Sequence, residues 1–265
     1  LAGTELRLRP DLPPLLGARG SLQVDAGALA LRGVQAHWLG GDARFDGSLA
    51  ADGTVSVAAN GTASAEGLRQ VPALADVAAL LRGQAAWRGT LSASDARIDV
   101  SLQSNLVGMA LELPAPLAKP AASALPLRLQ LSPLAGAGAP GRRRDRLQFE
   151  LGDTLKAQFE RETEAATGET RVLRGSVAVL DALPPWPADG VHAALNLGRI
   201  DLDAWRAVLA LAGGGEGGGR SAAYVPQHIR LRADELRLAG RNWSHLQATL
   251  INERSSTVDL WRSQI

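Results

Sequence analysis

The segment Leu125–Leu131 reads Leu-Pro-Leu-Arg-Leu-Gln-Leu, with a leucine at every second position and Pro126, Arg128 and Gln130 between them. Successive side chains of an extended strand point to opposite faces, so this spelling makes one apolar face and one polar face. The same period recurs along the chain. Ile98, Val100 and Leu102 alternate with Arg97, Asp99, Ser101 and Gln103, and Leu147, Phe149 and Leu151 alternate with Gln148 and Glu150. Val191, Ala193, Leu195 and Leu197 repeat it, as do Ile229, Leu231 and Ala233, then Leu236 and Leu238. Further strands are expected at 20–32, 34–38, 43–49, 55–64, 84–91, 156–161 and 171–180, with glycine turns at Gly40-Gly41, Asp46-Gly47, Asp52-Gly53 and Asn60-Gly61. The pattern predicts a mainly β chain built as a large antiparallel meander.

Two short helices interrupt the strands. Pro72–Leu81 has apolar residues at helical spacing behind a proline suited to a first turn, and a second helix runs from Asp203, as N-cap, through Trp205, Val208, Leu209 and Leu211 to a glycine stop. Helices this short cover only part of a sheet of a dozen or more strands. Such a sheet either closes its apolar face in a sandwich or barrel, or curls into a gutter whose inner wall stays apolar. Periodicity leaves both open. Leu29–Gly47 has a loose echo in Leu236–Leu250, each passing through a glycine turn and a tryptophan into another strand.

Composition narrows the function classes. The chain has 265 residues, with 28 basic against 27 acidic side chains. A net charge of +1 cannot steer the whole molecule onto nucleic acid, and no nucleic-acid partner is expected. The absence of cysteine removes disulfide scaffolds, thiolate zinc, iron–sulfur clusters and thiol nucleophiles. No stretch approaches the length of apolar sequence that a membrane-spanning helix needs. Beginning at Leu1 and ending at Ile265, the chain is read as an internal piece of a longer protein. A sub-boundary is expected in the 134–146 loop.

No catalytic, metal or cofactor set stands out. Gly213–Gly219 has the letters of a dinucleotide fingerprint, but it follows a helix and leads into a strand, so the 213–223 stretch reads as a flexible loop. His37, His192, His228 and His245 are scattered, and Asp201 and Asp203 fit a helix cap. Gly141–Arg146 (Gly-Arg-Arg-Arg-Asp-Arg) reads as a solvated basic loop tip, whose Arg142, Arg143 and Arg144 could alternatively meet the phosphates of lipid headgroups or RNA. The lack of interleaved aromatics argues against single-stranded nucleic acid. The six tryptophans, Trp38, Trp87, Trp186, Trp205, Trp243 and Trp261, are read as packing residues.

Ser104–Gly108 (Ser-Asn-Leu-Val-Gly), Leu111–Pro120 and Leu125–Leu131 together resemble the YhdP-type proteins of the AsmA-like superfamily of Gram-negative bacteria. Gly40–Gly47 is similar to the family's strand-turn element, and Leu81–Leu91 to its Leu-x-Gly-x-x-x-Trp-x-Gly-x-Leu segment. Leu197–Leu209 resembles its Asp-Leu-Asp-x-Trp helix start, and His228–Leu250 its later hairpin. The likeness runs through most of the chain in family order, with the 213–219 glycine run as a departure.

The resemblance implies a periplasmic body of an inner-membrane-anchored protein, the anchor being an N-terminal helix of the parent. It further implies a repeating β-groove along which phospholipid acyl chains move between inner and outer membranes, supporting the outer-membrane permeability barrier, without cofactor or metal. In that setting the groove-lining set is Ile98, Val100, Leu102, Leu127, Leu129, Phe149, Leu195, Leu197, Ile229 and Leu231. A slip of one residue in register would turn all of them to the other face. A second reading is a scaffold that binds envelope proteins through exposed sheet edges. A third is a hydrolase with a dispersed site.

Overall fold

The structure is a computed structural model that describes residues 2–7, 12–25, 28–94, 97–134, 141–212, 222–255 and 258–264. Among the described residues strands make up 64% beside three short helices, so the fold is mainly β, and the sheet is not closed into a barrel. The chain divides into two compact units, Leu1–Glu112 with Lys119–Pro133, and Leu113–Ala118 with Leu134–Ile265.

The first unit contains β1 (Ala2–Leu6), β2 (Leu15–Asp25), β3 (Ala28–Trp38), β4 (Gly41–Leu49) and β5 (Val55–Ser64). Helices α1 (Ala65–Arg69) and α2 (Ala75–Ala79) follow, then β6 (Leu81–Ser94), β7 (Arg97–Ser104), β8 (Met109–Leu111) and β9 (Leu127–Pro133). The strands pair antiparallel in the order β1-β2-β3-β4-β5-β6-β7-β9, with β8 on the start of β6. This is the expected meander, with local differences. The apolar run read as 20–32 belongs to two strands. Val34–Trp38 continues β3 through a bulge in which Leu31 faces Gly47 and Val34 faces Phe45. Gly33 takes the left-handed φ of 56° there, and its N–H donates to the Asp46 carboxylate at 2.8 Å. Asp46-Gly47 and Asn60-Gly61 are therefore not turns; they lie inside β4 and β5, where a Cβ at Gly61 would come within 2.5 Å of the Asp42 carbonyl.

The helix expected at Pro72–Leu81 is only Ala75–Ala79, and a further short helix, Ala65–Arg69, not expected from the sequence, precedes it. Ser64 starts α1 by accepting the Gly67 N–H on its hydroxyl, and Pro72 disfavours helical geometry at Val71. Leu81 already belongs to β6. A loop between β8 and β9 is held by Lys119, one of only two lysines in the chain. Its ammonium is buried and donates to the carbonyls of Leu106, Met109 and Pro120 at 2.7, 2.6 and 2.9 Å. Three donors meet three acceptors, so the buried charge is hydrogen-bonded throughout, although burial still pulls its pKa down.

The second unit contains β10 (Arg142–Leu151), β11 (Leu155–Glu164), β12 (Thr170–Val179), β13 (Gly190–Asp201), α3 (Leu202–Ala212), β14 (His228–Leu238), β15 (Arg241–Ser255) and β16 (Val258–Gln264), paired in that order. Here the all-antiparallel expectation fails twice, because β12–β13 and β13–β14 are parallel. Each pair is joined by a crossover in place of a hairpin turn, as parallel pairing demands. The first, 180–189, carries Pro184, Pro185 and Pro187 and is tied down by Ser176 donating to the Pro185 carbonyl. The second includes α3. The basic run also departs from expectation: Arg142–Arg146 is strand β10, not a loop tip, since its residues pair one for one with Glu164–Glu160. Residues 135–140 of the expected 134–146 loop and most of the 213–223 loop lie outside the described residues.

Asp201, rather than Asp203, caps α3, accepting the N–H groups of Asp203 and Ala204 at 3.0 Å. Asp203 instead accepts from Ala239 and Gly240 at the β14–β15 turn, which lowers its pKa. Ala239 and Gly240 are both left-handed, with φ of 50° and 72°, and Leu39 and Gly40 match them with 53° and 75°. The sequence echo is thus a pair of tight hairpins whose tips twist as the sheet requires.

Replacing Lys119 by Met should destabilise the first unit by about 2 kcal/mol, the scale of lost charged hydrogen bonds and stranded carbonyls. A urea denaturation midpoint checks this, and an unchanged midpoint would show that the loop is held by other contacts.

Candidate functional site

Pairing register assembles the alternating apolar residues into rows that run across the strands. In the first unit one row is Val34, Phe45, Ala59, Gly89, Leu102 and Leu129, and the next is Leu31, Gly47, Val57, Leu91, Val100 and Leu131. With strands about 4.8 Å apart, each row spans roughly 24 Å. Ile98, Val100, Leu102, Leu127 and Leu129 accordingly share one face, with Leu102 directly opposite Leu129. The other face is a polar lattice, in which Arg88 donates to Gln103, Thr90 meets Ser101 and Ser132 donates to Asp99.

The two ends of this apolar face differ. Around β3 and β4 it is packed shut by Leu15, Ala18, Val34, Ala36, Ala43 and Phe45, with Trp38 edge-on to both Phe45 and Trp87. The Trp38 indole donates to the Pro13 carbonyl, pinning the 12–14 segment there. Helix α1 sits at the Ser64 end of β5 and the neighbouring end of β6. Toward β7 and β9, Val55, Val57, Leu91, Val100, Leu102, Leu129 and Leu131 are only half-buried. These residues form a side-by-side apolar lane.

The second unit repeats the arrangement. Phe149, Ala157, Val177, Ala193, Ile229 and Leu250 make one row, and Leu151, Leu155, Val179, Leu195, Leu231 and Ala248 the next. Phe149, Leu195, Leu197, Ile229 and Leu231 therefore share a face. Tyr224 closes part of it, edge-on to Phe159 at 5.0 Å, burying Ala157, Phe159 and Val191. Leu202 and Trp205 of α3 pack over Leu197, Ile200, Ala233 and Leu236. Leu197, 4% exposed, is thus a packed core residue rather than a groove-lining one. Leu147, Phe149, Val177, Val179, Leu195, Ile229 and Leu231 remain half-buried.

Opposite this lane lies a charge zipper. Glu162 accepts from Arg142, Arg144 and Arg171, and Glu160 from Arg146 and Arg174, at distances of 2.7 to 3.1 Å. Trp186 of the proline-rich crossover lies against the guanidinium groups of Arg146 and Arg174, about 5 Å from each. Hydrogen bonding by Arg174 holds the Glu160 carboxyl below the usual range, and Arg144 does the same for Glu162, with burial opposing in both cases. Strand alternation consequently separates the three arginines named from the sequence. Arg142 and Arg144 join the zipper, while Arg143 takes the parity of the apolar face.

The histidines do not gather into a catalytic set. His192 and His228 lie side by side across the β13–β14 pair, 4.7 Å between ring centres, and burial followed by the His228 charge lowers the His192 pKa. His37 faces Asp42 across the β3–β4 pair, both side chains exposed. Among the described residues no three His, Asp or Glu side chains are grouped so as to hold a metal ion.

Sequence reasoning missed Val55, Val57, Leu91, Val177 and Val179 as lane residues, although the same alternation carries them. It also missed the zipper. The signal for that was Glu160, Glu162 and Glu164 alternating along a strand that follows Arg142, Arg144 and Arg146 at hairpin distance.

A family model described as YhdP protein matches residues 1–265, the whole chain. The chain belongs to the YhdP family. No curated protein and no solved structure was found to match it. Membership of the YhdP family suggests a lipid-transport-related protein of the bacterial envelope. The family is not known for an enzymatic activity. No helix among the described residues is long and apolar enough to cross a membrane.

The zipper has a definite pH signature. Glutamates whose folded pKa lies below the usual value near 4.5 favour the fold above that pH, and the contribution is lost as the pH falls through the lowered folded values. Melting temperatures measured between about pH 3 and 7 should therefore fall steeply at the acid end, and Glu162→Gln should flatten that limb while lowering stability at neutral pH. An acid limb unchanged in Glu162→Gln would place the sensitivity elsewhere.

Proposed function

We propose that this chain is a non-enzymatic segment of an envelope-spanning lipid conduit. It carries phospholipid acyl chains along its apolar sheet faces between the inner and outer membranes and supports the outer-membrane permeability barrier. The observation that carries the reading is the half-buried lane of aliphatic side chains, set in register across β5, β6, β7 and β9 and backed by a polar face. A sheet face of this kind would ordinarily be covered by a second layer. Family membership supports a lipid as its cover.

The energetics suit a sliding cargo. Each buried methylene contributes about 0.8 kcal/mol, so an acyl chain with half its surface against the lane gains about 6 kcal/mol. The contact is non-directional, and successive rows offer similar aliphatic surface. A chain can therefore shift from row to row without a chemical step, provided its headgroup stays in water. In this reading the protein is the periplasmic portion of an inner-membrane-anchored parent, and the anchor belongs to that parent.

Native mass spectrometry of the purified chain, with lipid analysis of an organic extract, tests the reading. Phospholipid should co-purify, and Leu129→Asp should lose at least about tenfold of it while keeping the circular dichroism of the parent, because a carboxylate in the lane must stay hydrated. A lipid-free, stable protein would contradict the reading and favour a scaffold that binds envelope proteins through its sheet edges.

A further inference from the structure

The second unit's lane has a polar end, and its charges do not balance. Reading along the lane face of β10, the side chains are Arg143, Asp145, Leu147, Phe149 and Leu151, and their partners on β11 are Thr163, Arg161, Phe159, Ala157 and Leu155. Arg161 and Asp145 form a close ion pair, 2.7 Å apart with each side chain 17% exposed, and Arg161 also donates to the Tyr224 hydroxyl. Asp145 is thereby committed. Arg142 and Arg144, the sequence neighbours of Arg143, are committed to Glu162 on the opposite face. Among the described residues Arg143 has no carboxylate partner, so this end carries one positive charge in excess. Beside it the hydroxyls of Thr163 and Thr170 meet at 2.8 Å, adding polar hydrogen-bonding groups.

We propose that Arg143 anchors the phosphate of a phospholipid whose acyl chains run from Leu147 and Phe149 into the lane. The inference rests on the lipid-conduit reading and adds polarity to it: headgroups sit at the Gly141 end of β10, chains toward Leu151. At about 3.3 Å per residue, Arg143 lies roughly 13 Å from Leu147, with the Asp145–Arg161 pair as a fixed polar boundary between them. A guanidinium fork matches two phosphate oxygens at once, a geometry that a point charge would not select.

The test uses the purified chain with lipids delivered from nonionic detergent micelles and occupancy read by native mass spectrometry. The probes are phosphatidylglycerol, which carries the phosphate, and diacylglycerol, which has the same chains without it. Arg143→Gln should lower phosphatidylglycerol occupancy about tenfold, the scale of one lost charged hydrogen-bonding group, and leave diacylglycerol unchanged. Arg232→Gln, on the polar parity of β14, should change neither. Equal phosphatidylglycerol binding by wild type and Arg143→Gln, or an equal loss of both lipids, would overturn the anchor while leaving the lane intact. Displacement of phosphatidylglycerol by millimolar inorganic phosphate with diacylglycerol still bound would support the anchor. Phosphate bound at Arg143 with no competition between it and the lipid would overturn it in favour of a free-phosphate site. A wild-type chain that takes up neither lipid would defeat the conduit reading itself.

Discussion

Inter-strand hydrogen bonding fixes side-chain parity, and the rest of this structure follows from that constraint. Once Leu102 faces Leu129 and Phe149 faces Ala157, every second residue of each strand is committed to the apolar face. The chain preserves this commitment where a strand bends. At the β3 bulge the apolar residues advance by three, from Leu31 to Val34, and Asp46 binds the inserted Gly33. On β13 and β14 the advance by three occurs on both strands together, so Leu197 still meets Ala233 and Ile200 still meets Leu236. An advance by three on one strand alone, with no bulge to absorb it, would have turned half a strand of aliphatic groups toward water.

An apolar face fixed in this way needs cover, and the protein supplies it unevenly. Tryptophans and a pinned loop close one end of the first unit's face, while Tyr224 and α3 close parts of the second's. Away from its own covers, each unit's aliphatic rows stay half-buried. On the first unit's opposite face charges and hydroxyls satisfy one another across strands, whereas part of the second unit's is buried at Ser176, Ala178 and Ala194 and tied to the 180–189 crossover. The zipper around Glu160 and Glu162 is the densest example, and the crossover bearing Trp186 shields it. Charge pairing on one side and unfinished apolar packing on the other give the two faces different work.

The meander, many of its strand positions and the shared face of Ile98, Val100, Leu102, Leu127 and Leu129 were legible because alternation is a local property. The two parallel pairings were not, since alternation reads the same in either direction; only the proline-rich 180–189 spacer and the helix after Asp201 hinted at crossovers. Asp46-Gly47 and Asn60-Gly61 look like turns because glycine serves both turns and close strand approach. The basic run at Arg142 looked like a loop because its partners, Glu160 and Glu162, meet it only after the hairpin folds. Leu197 has the spelling of a lane residue, yet α3 lies over it. Cover by a distant element leaves no mark on the alternation beneath it.

The central claim is that lipid occupies one face of the sheet in the living cell. Site-specific photocrosslinking measures it directly, with a benzophenone amino acid placed at Leu129 on the lane and, one residue on, at Gln130 on the polar face. The account predicts lipid adducts at position 129 and none at 130. Protein adducts at 129, or lipid adducts of equal yield at both positions, would contradict it.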